Sequence, residues 1–148
     1  MIGTLLAKRA LAGAFQALND HELDAFMRSW SDDGVFVYPG DIPESGVFRG
    51  RAAVTGWFGR FFEQFPTIHF HVQAICPRDL FDLVGTNEVA VHWDLDLVNR
   101  EGHAGQNSGV TVVTLVRGKA TQAKDYIFDL GEAFHRNWSA LPTATAQA

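Results

Sequence analysis

Apolar and polar positions follow two rhythms along this chain, and the change falls at Pro66. Before it the apolar residues recur at helical spacing. Residues Ile2 to Leu18 bring Leu5, Leu6, Leu11, Phe15 and Leu18 near one face of an amphipathic helix. Asn19-Asp20 ends it, and Asp20 can cap a second short helix carrying Leu23, Phe26, Met27 and Trp30. Ser31 to Gly34 is turn chemistry, Val35 to Tyr38 reads as a strand, and Pro39-Gly40 opens a polar loop through Gly46. From Arg51 to Phe65, the positions Val54, Trp57, Phe58, Phe61, Phe62 and Phe65 predict a third helix.

After Pro66 the period drops to two. Thr67 to Ile75 alternates around Ile68, Phe70 and Val72. Glu88 to Val98 alternates strictly, with Val89, Val91, Trp93, Leu95 and Leu97 on one face and Ala90, His92, Asp94 and Asp96 on the other. Ser108 to Val116 is rich in Val and Thr, and Arg117-Gly118-Lys119 turns into a last strand through Asp129. Helices followed by antiparallel strands predict an α+β domain, with helices packed on one face of the sheet. A single domain is expected over residues 1–134, with 135–148 as a flexible C-terminal tail.

Composition narrows the function classes. The chain of 148 residues is 47% hydrophobic and 20% charged, which suits one globular domain. Its net charge of −5, with no basic stripe, speaks against nucleic acid as a partner. A membrane role finds no support in the pattern. Leu5-Leu6 precedes Lys8-Arg9, the reverse of a secretory leader, so a cytoplasmic location is expected. The single cysteine, Cys76, excludes an internal disulfide and reads as structural.

His92, Asp94 and Asp96 share one side of their strand. If that side faces a hollow, Asp125 on a later strand can oppose Asp94, and two carboxylates in an apolar cup act as an acid and a base. Tyr38 can then polarise an oxyanion. The alternative is that Trp93 and Leu95 pack on the core while His92, Asp94 and Asp96 meet water. His69 and His71 share a face and could ligate a metal, but spacing indicates no third ligand and no metal is expected. His103 and His135 read as solvated. Trp57 and Phe61 are the helix aromatics expected to reach a ligand.

Three stretches resemble the SnoaL-like members of the nuclear transport factor 2-like superfamily: Trp30 to Phe36, Gly46 to Val54 with its Trp/Phe-rich helix, and Lys124 to Asp129. The resemblance spans about Leu5 to Phe134. It implies a cone-shaped, cystatin-like fold in which three helices pack on a curved antiparallel sheet around a pocket. It also implies that the polar face of the Glu88 to Val98 strand lines that pocket and the apolar face lies in a dimer interface. Trp93, Leu95 and Leu97 would then form the exposed patch that makes a homodimer expected.

Within the superfamily the last strands look most like limonene epoxide hydrolase. Its Arg-x-Asp falls on His92-Trp93-Asp94 and its Asp-Tyr on Asp125-Tyr126, while its water-holding Tyr and Asn fall on Phe36 and Tyr38. The acid of ketosteroid isomerase falls on Tyr38, and that of the SnoaL cyclases on Thr111. The resemblance thus implies a cofactor-free acid–base enzyme acting on a hydrophobic polyketide-, terpenoid- or steroid-like molecule. Asp94, Asp125, His92 and Tyr38 are its expected catalytic groups, with Phe36, Trp57, Phe61 and Thr111 at the substrate. A non-catalytic ligand-binding or interaction domain of the same fold is the competing expectation.

Overall fold

The computed structural model describes residues 2–139. They form α1 (Ile2–Asn19), α2 (Leu23–Met27), β1 (Trp30–Tyr38), β2 (Gly46–Arg49), α3 (Arg51–Gln64), β3 (Thr67–Pro77), β4 (Asn87–Val98), β5 (Ala104–Val116), β6 (Lys119–Ile127) and α4 (Glu132–Trp138). One six-stranded sheet runs in the order β2-β1-β6-β5-β4-β3. It curves without closing, and the helices pack on its concave face to give the expected α+β cone.

The sheet is mixed, because β1 runs parallel to β6 while every other pair is antiparallel. The first strand begins at Trp30, not Val35, and pairs Trp30 with Ala120 before its register shifts. Arg51 secures that start: its guanidinium donates to the carbonyls of Met27 and Trp30 at 2.9 and 2.6 Å and to Asp32 at 2.8 Å. Gly46–Arg49, at and just beyond the end of the expected polar loop, is the edge strand β2, paired along Val35 to Tyr38.

In α1 the buried stripe is Ala7, Leu11, Phe15 and Leu18, whereas Leu5 and Leu6 face solvent, against expectation. A turn of about 100° per residue sets Leu5 and Leu6 well away from that stripe, and the first residues of the helix are seated on the β3–β4 loop. Thr4 Oγ1 donates to the Leu80 carbonyl at 3.0 Å, and Gly3 lies so close to the Asp82 carbonyl that a Cβ there would collide with it.

The second correction concerns the C-terminal segment. Residues 132–138 form α4, with Phe134, Asn137 and Trp138 buried, where a tail was expected from residue 135. Phe134 and Trp138 stand one turn apart, so both can turn inward together. Gly105 of β5 admits this docking, since a Cβ there would overlap the Asn137 side chain. The expected tail at 140–148 lies outside the described residues. No helix among the described residues is long and apolar enough to cross a membrane.

The core lies between the concave face and the helices, where Trp57 and Phe58 of α3 pack on Phe36 of β1, and Phe15 of α1 meets Phe70 of β3, which in turn meets Trp93 of β4. Trp93, Leu95 and Leu97 are only 2%, 7% and 7% exposed. They form no outer patch, and the argument from that patch to a homodimer lapses.

Candidate functional site

A cavity of about 80 Å³ sits inside the cone, and its walls are almost wholly apolar. Five strands and three helices line it, with Phe36 and Tyr38 from β1, Trp93 from β4, Thr111 from β5, Phe15 from α1, and Trp57 and Phe61 from α3 among the contributors. Trp57 is the centre of the aromatic wall, 4.6 Å from the rings of both Phe36 and Tyr38 and stacked on Phe61 at 5.4 Å. Its indole nitrogen donates to the Glu44 carbonyl at 2.9 Å, so only carbon faces the cavity.

Asp125 of β6 is the one carboxylate among the described residues that line this space. Antiparallel pairing sets it opposite Thr111, whose hydroxyl donates to Asp125 Oδ1 at 2.6 Å. The Thr111 oxygen in turn accepts Trp93 Nε1 at 2.9 Å. The indole can only donate, so the direction of both bonds is set and the threonine proton points at the carboxylate. Asp125 Oδ2 takes no hydrogen bond from the described residues. Asp125 lines the cavity, and its burial pushes its carboxyl up from 3.8 to about 7, against the opposing Thr111 bond.

Tyr38 completes the polar equipment. β1 runs parallel to β6 with Phe36 beside Ala123, so Tyr38 arrives next to Asp125. Burial first, and the Asp125 charge second, push its hydroxyl well above the ordinary tyrosine range. Trp138 of α4 donates its Nε1 to the Tyr38 oxygen at 3.0 Å and acts in the other direction. No described residue accepts the Tyr38 proton. Trp138 also packs its ring 4.9 to 5.9 Å from those of Phe65, Tyr38, Trp57 and Phe61, closing this end of the cone.

The expected sites therefore divide. Asp125, Tyr38, Phe36, Trp57, Phe61 and Thr111 come together at the cavity. His92 and Asp94 do not, because β4 turns its apolar face inward and its polar face outward. Asp94 accepts Ser108 Oγ at 2.6 Å and Gln73 Nε2 at 3.1 Å in a groove on the convex side of the sheet. His92 lies on that same side, 6.2 Å from the Phe128 ring. The resemblance placed this face toward the pocket; the observed face is the apolar one, with Trp93 packed on Phe70, which Phe15 of α1 covers.

The other histidines are likewise outside. The rings of His69 and His71 stack at 4.1 Å, with His71 Nε2 2.9 Å from Asp96. No cluster of three metal-ligating side chains forms among the described residues. His135 is not merely solvated: it contacts Asp41 Oδ1 at 2.7 Å and the Gly131 carbonyl at 2.9 Å, which tethers α4 to the loop after β1.

Sequence reading missed Trp93 and Trp138 as parts of the site. Trp93 was visible as a member of the inward face once that face was identified. The signal for Trp138 was its four-residue spacing from Phe134.

Residues 11–123 match the sequence pattern of the SnoaL-like domain. Among solved structures, Bal32a from a soil-derived mobile gene cassette superposes with a TM-score of 0.77 at 16% identity, covering 93% of this chain and 99% of its own. A protein of Xanthomonas campestris pv. campestris proposed as a polyketide cyclase gives 0.70 at 17% identity, covering 91% and 98%. A Catenulispora acidiphila protein of ketosteroid isomerase-like fold, in complex with trimethylamine, gives 0.69 at 14% identity, covering 88% and 97%. At these identities the likeness is one of fold. No curated protein matches the chain in sequence.

Proposed function

Because this chain belongs to the SnoaL-like domain family, whose nuclear transport factor 2-like scaffold serves cyclases, isomerases and non-catalytic proteins alike, we propose its function from the cavity and not from the fold. The proposed activity is cofactor-free proton transfer at carbon on a hydrophobic small molecule, of the isomerase or cyclase type. Asp125 is the acid–base group and Tyr38 the donor to the developing oxyanion.

The observation that carries this reading is the raised carboxyl of Asp125 in an apolar, aromatic cavity, aimed by Thr111 and neighboured by an unengaged tyrosine proton. A carboxyl titrating near 7 is matched to both halves of a proton transfer at neutral pH. In the forward step the ionised Asp125 takes a proton from carbon α to a substrate carbonyl. The electron pair left on carbon moves into the enolate oxygen, which receives the Tyr38 hydrogen bond. Asp125 then returns the proton to the same carbon or to a conjugated one.

Asp94 has no part in this scheme, so the paired-carboxylate route of epoxide opening is not proposed. The cavity of about 80 Å³ lies below the roughly 300–1,000 Å³ common for drug-sized ligands. In the arrangement observed it accepts a few heavy atoms, and a polyketide- or terpenoid-sized substrate would need its walls to part. The competing binding reading keeps the same cavity but leaves Asp125 chemically idle.

The test uses a ketone small enough for the closed cavity. Cyclopentanone in deuterated water is followed by proton nuclear magnetic resonance for loss of its α-hydrogens. Exchange above the buffer rate, lost in Asp125→Asn, supports the proposal. Chemical-shift changes at cavity residues without faster exchange would instead assign a binding domain.

A further inference from the structure

The loop joining β3 to β4 is folded with its charge inside and its apolar side chains out. Asp82 is only 4% exposed, and its Oδ1 accepts the amides of Val84 and Gly85, each at 2.9 Å, and that of Thr86 at 3.3 Å. These bonds hold its carboxylate below the ordinary range, with the amide of Val84 contributing most. Around this fixed centre Leu80, Phe81, Leu83 and Val84 stand 58%, 79%, 76% and 70% exposed. An ordered loop that displays four apolar side chains keeps an unfavourable contact with water until something covers it.

The start of α1 is seated on this loop through Thr4 and Gly3, and it adds Ile2, Leu5 and Leu6 to the exposed apolar set. Seven of the twelve exposed large apolar side chains of the described residues thus gather at one end of the molecule. Exposed cations lie in the same and adjoining segments. Arg9 follows Ile2 and Leu5 on the same helix face, with Lys8 beside it. Arg78 leads into the loop, and Arg117 sits in the β5–β6 turn, whose amide bonds Thr86 Oγ1 at 3.2 Å. These four exposed cations outnumber the exposed acids of the same segments, Asp79 and Glu88, in a chain of net charge −5.

We propose that this end is a docking surface for an anionic lipid bilayer. The loop and the first turns of α1 enter the boundary between headgroups and acyl chains, and Lys8, Arg9, Arg78 and Arg117 meet the lipid phosphates. A second copy of the chain fits the patch less well, because a two-fold contact would bring the cations of each copy toward those of the other. The inference is independent of the cavity's chemistry. Where that chemistry also holds, α1 spans both sites, since Leu11, Ala14 and Phe15 of the same helix line the cavity.

The full chain is tested by co-sedimentation with vesicles of phosphatidylcholine alone and with added phosphatidylglycerol. Binding is expected only with the anionic lipid, falling as salt is raised. Phe81→Ser/Leu83→Ser and Lys8→Gln/Arg9→Gln should each weaken it roughly tenfold or more, with the far-ultraviolet circular dichroism of the folded protein retained. In Phe81→Trp, which only swaps one exposed ring for another, emission should shift to the blue on vesicle addition. Wild-type protein that stays in the supernatant with both lipids overturns the proposal. So does a dimer, seen by analytical ultracentrifugation without vesicle binding, that Phe81→Ser/Leu83→Ser dissociates.

Discussion

Thr111 and Asp125 face each other across the β5–β6 ladder, and the 2.6 Å bond between them ties the cavity's carboxylate to the core through Trp93. Removing the hydroxyl while keeping the shape separates aim from burial. In Thr111→Val the buried Trp93 Nε1 loses its acceptor, which should lower stability by about 1–3 kcal/mol. Asp125 loses the bond that favours its ionised form, so its carboxyl should titrate above about 7. Carboxyl carbon-13 titration by nuclear magnetic resonance, alongside urea unfolding, reads both effects. An unshifted Asp125 would show that the hydroxyl does not act on it.

The raised carboxyl of Asp125 makes a signed statement about stability. The folded state holds its proton up to about pH 7, while the unfolded chain releases it near 3.8. Between these values the folded state binds more protons, so this group's contribution to stability falls as pH rises through that window. Asp125→Asn should therefore unfold like the wild type near pH 4 and be more stable at pH 8. The rise from 3.8 to about 7 sets an upper limit of about 4 kcal/mol on the difference. The same variant should lose α-proton exchange by roughly a hundredfold or more, and the wild-type rate should climb through about pH 7 as the base ionises. A variant less stable than wild type at pH 8 would contradict the buried, protonated carboxyl.

Asp94 and Asp125 are separated by the thickness of the sheet. The strict alternation of β4 was legible from Val89 to Leu97, but alternation does not say which face meets the helices. That decision is made elsewhere, where α1 lays Phe15 on Phe70 of β3 and Phe70 meets Trp93. Asp94→Asn should accordingly leave exchange and cavity binding within about twofold of wild type, because its partners are Ser108 and Gln73 on the convex side. Loss of exchange in Asp94→Asn, with the fold intact, would reverse the assignment of faces.

Tyr38 and Asp125 were expected in one site, but no local signal set them side by side. Their closeness depends on β1 lying parallel to β6, a contact between segments about ninety residues apart that no turn or period announces. By contrast, the single-domain α+β order of elements and the aromatic stripe of α3 were readable directly, since both are local in sequence. Leu5 and Leu6 were expected on the core face, but at about 100° per residue they fall well away from the line of Leu11, Phe15 and Leu18, and they stand outside.

Trp138 links the last helix to the site, and its two roles can be taken apart by size. Its ring packs against Phe65, Phe61, Trp57 and Tyr38, and its Nε1 donates to the Tyr38 hydroxyl. Trp138→Ala removes both and opens a void at the end of the cone, which should cost about 3–5 kcal/mol. For a domain of this size that is a fall of roughly 10 °C or more in Tm. Trp138→Phe keeps most of the packing and loses the hydrogen bond, so the cost should be nearer 1 kcal/mol. If Trp138 is the closure over the cavity, the Phe variant should also bind cyclopentanone faster without losing exchange, because Tyr38 and Asp125 remain in place. Stopped-flow binding and thermal unfolding, run on both variants, decide the matter. Unfolding that barely responds to Trp138→Ala would mean that α4 only rests against the cone and does not close it.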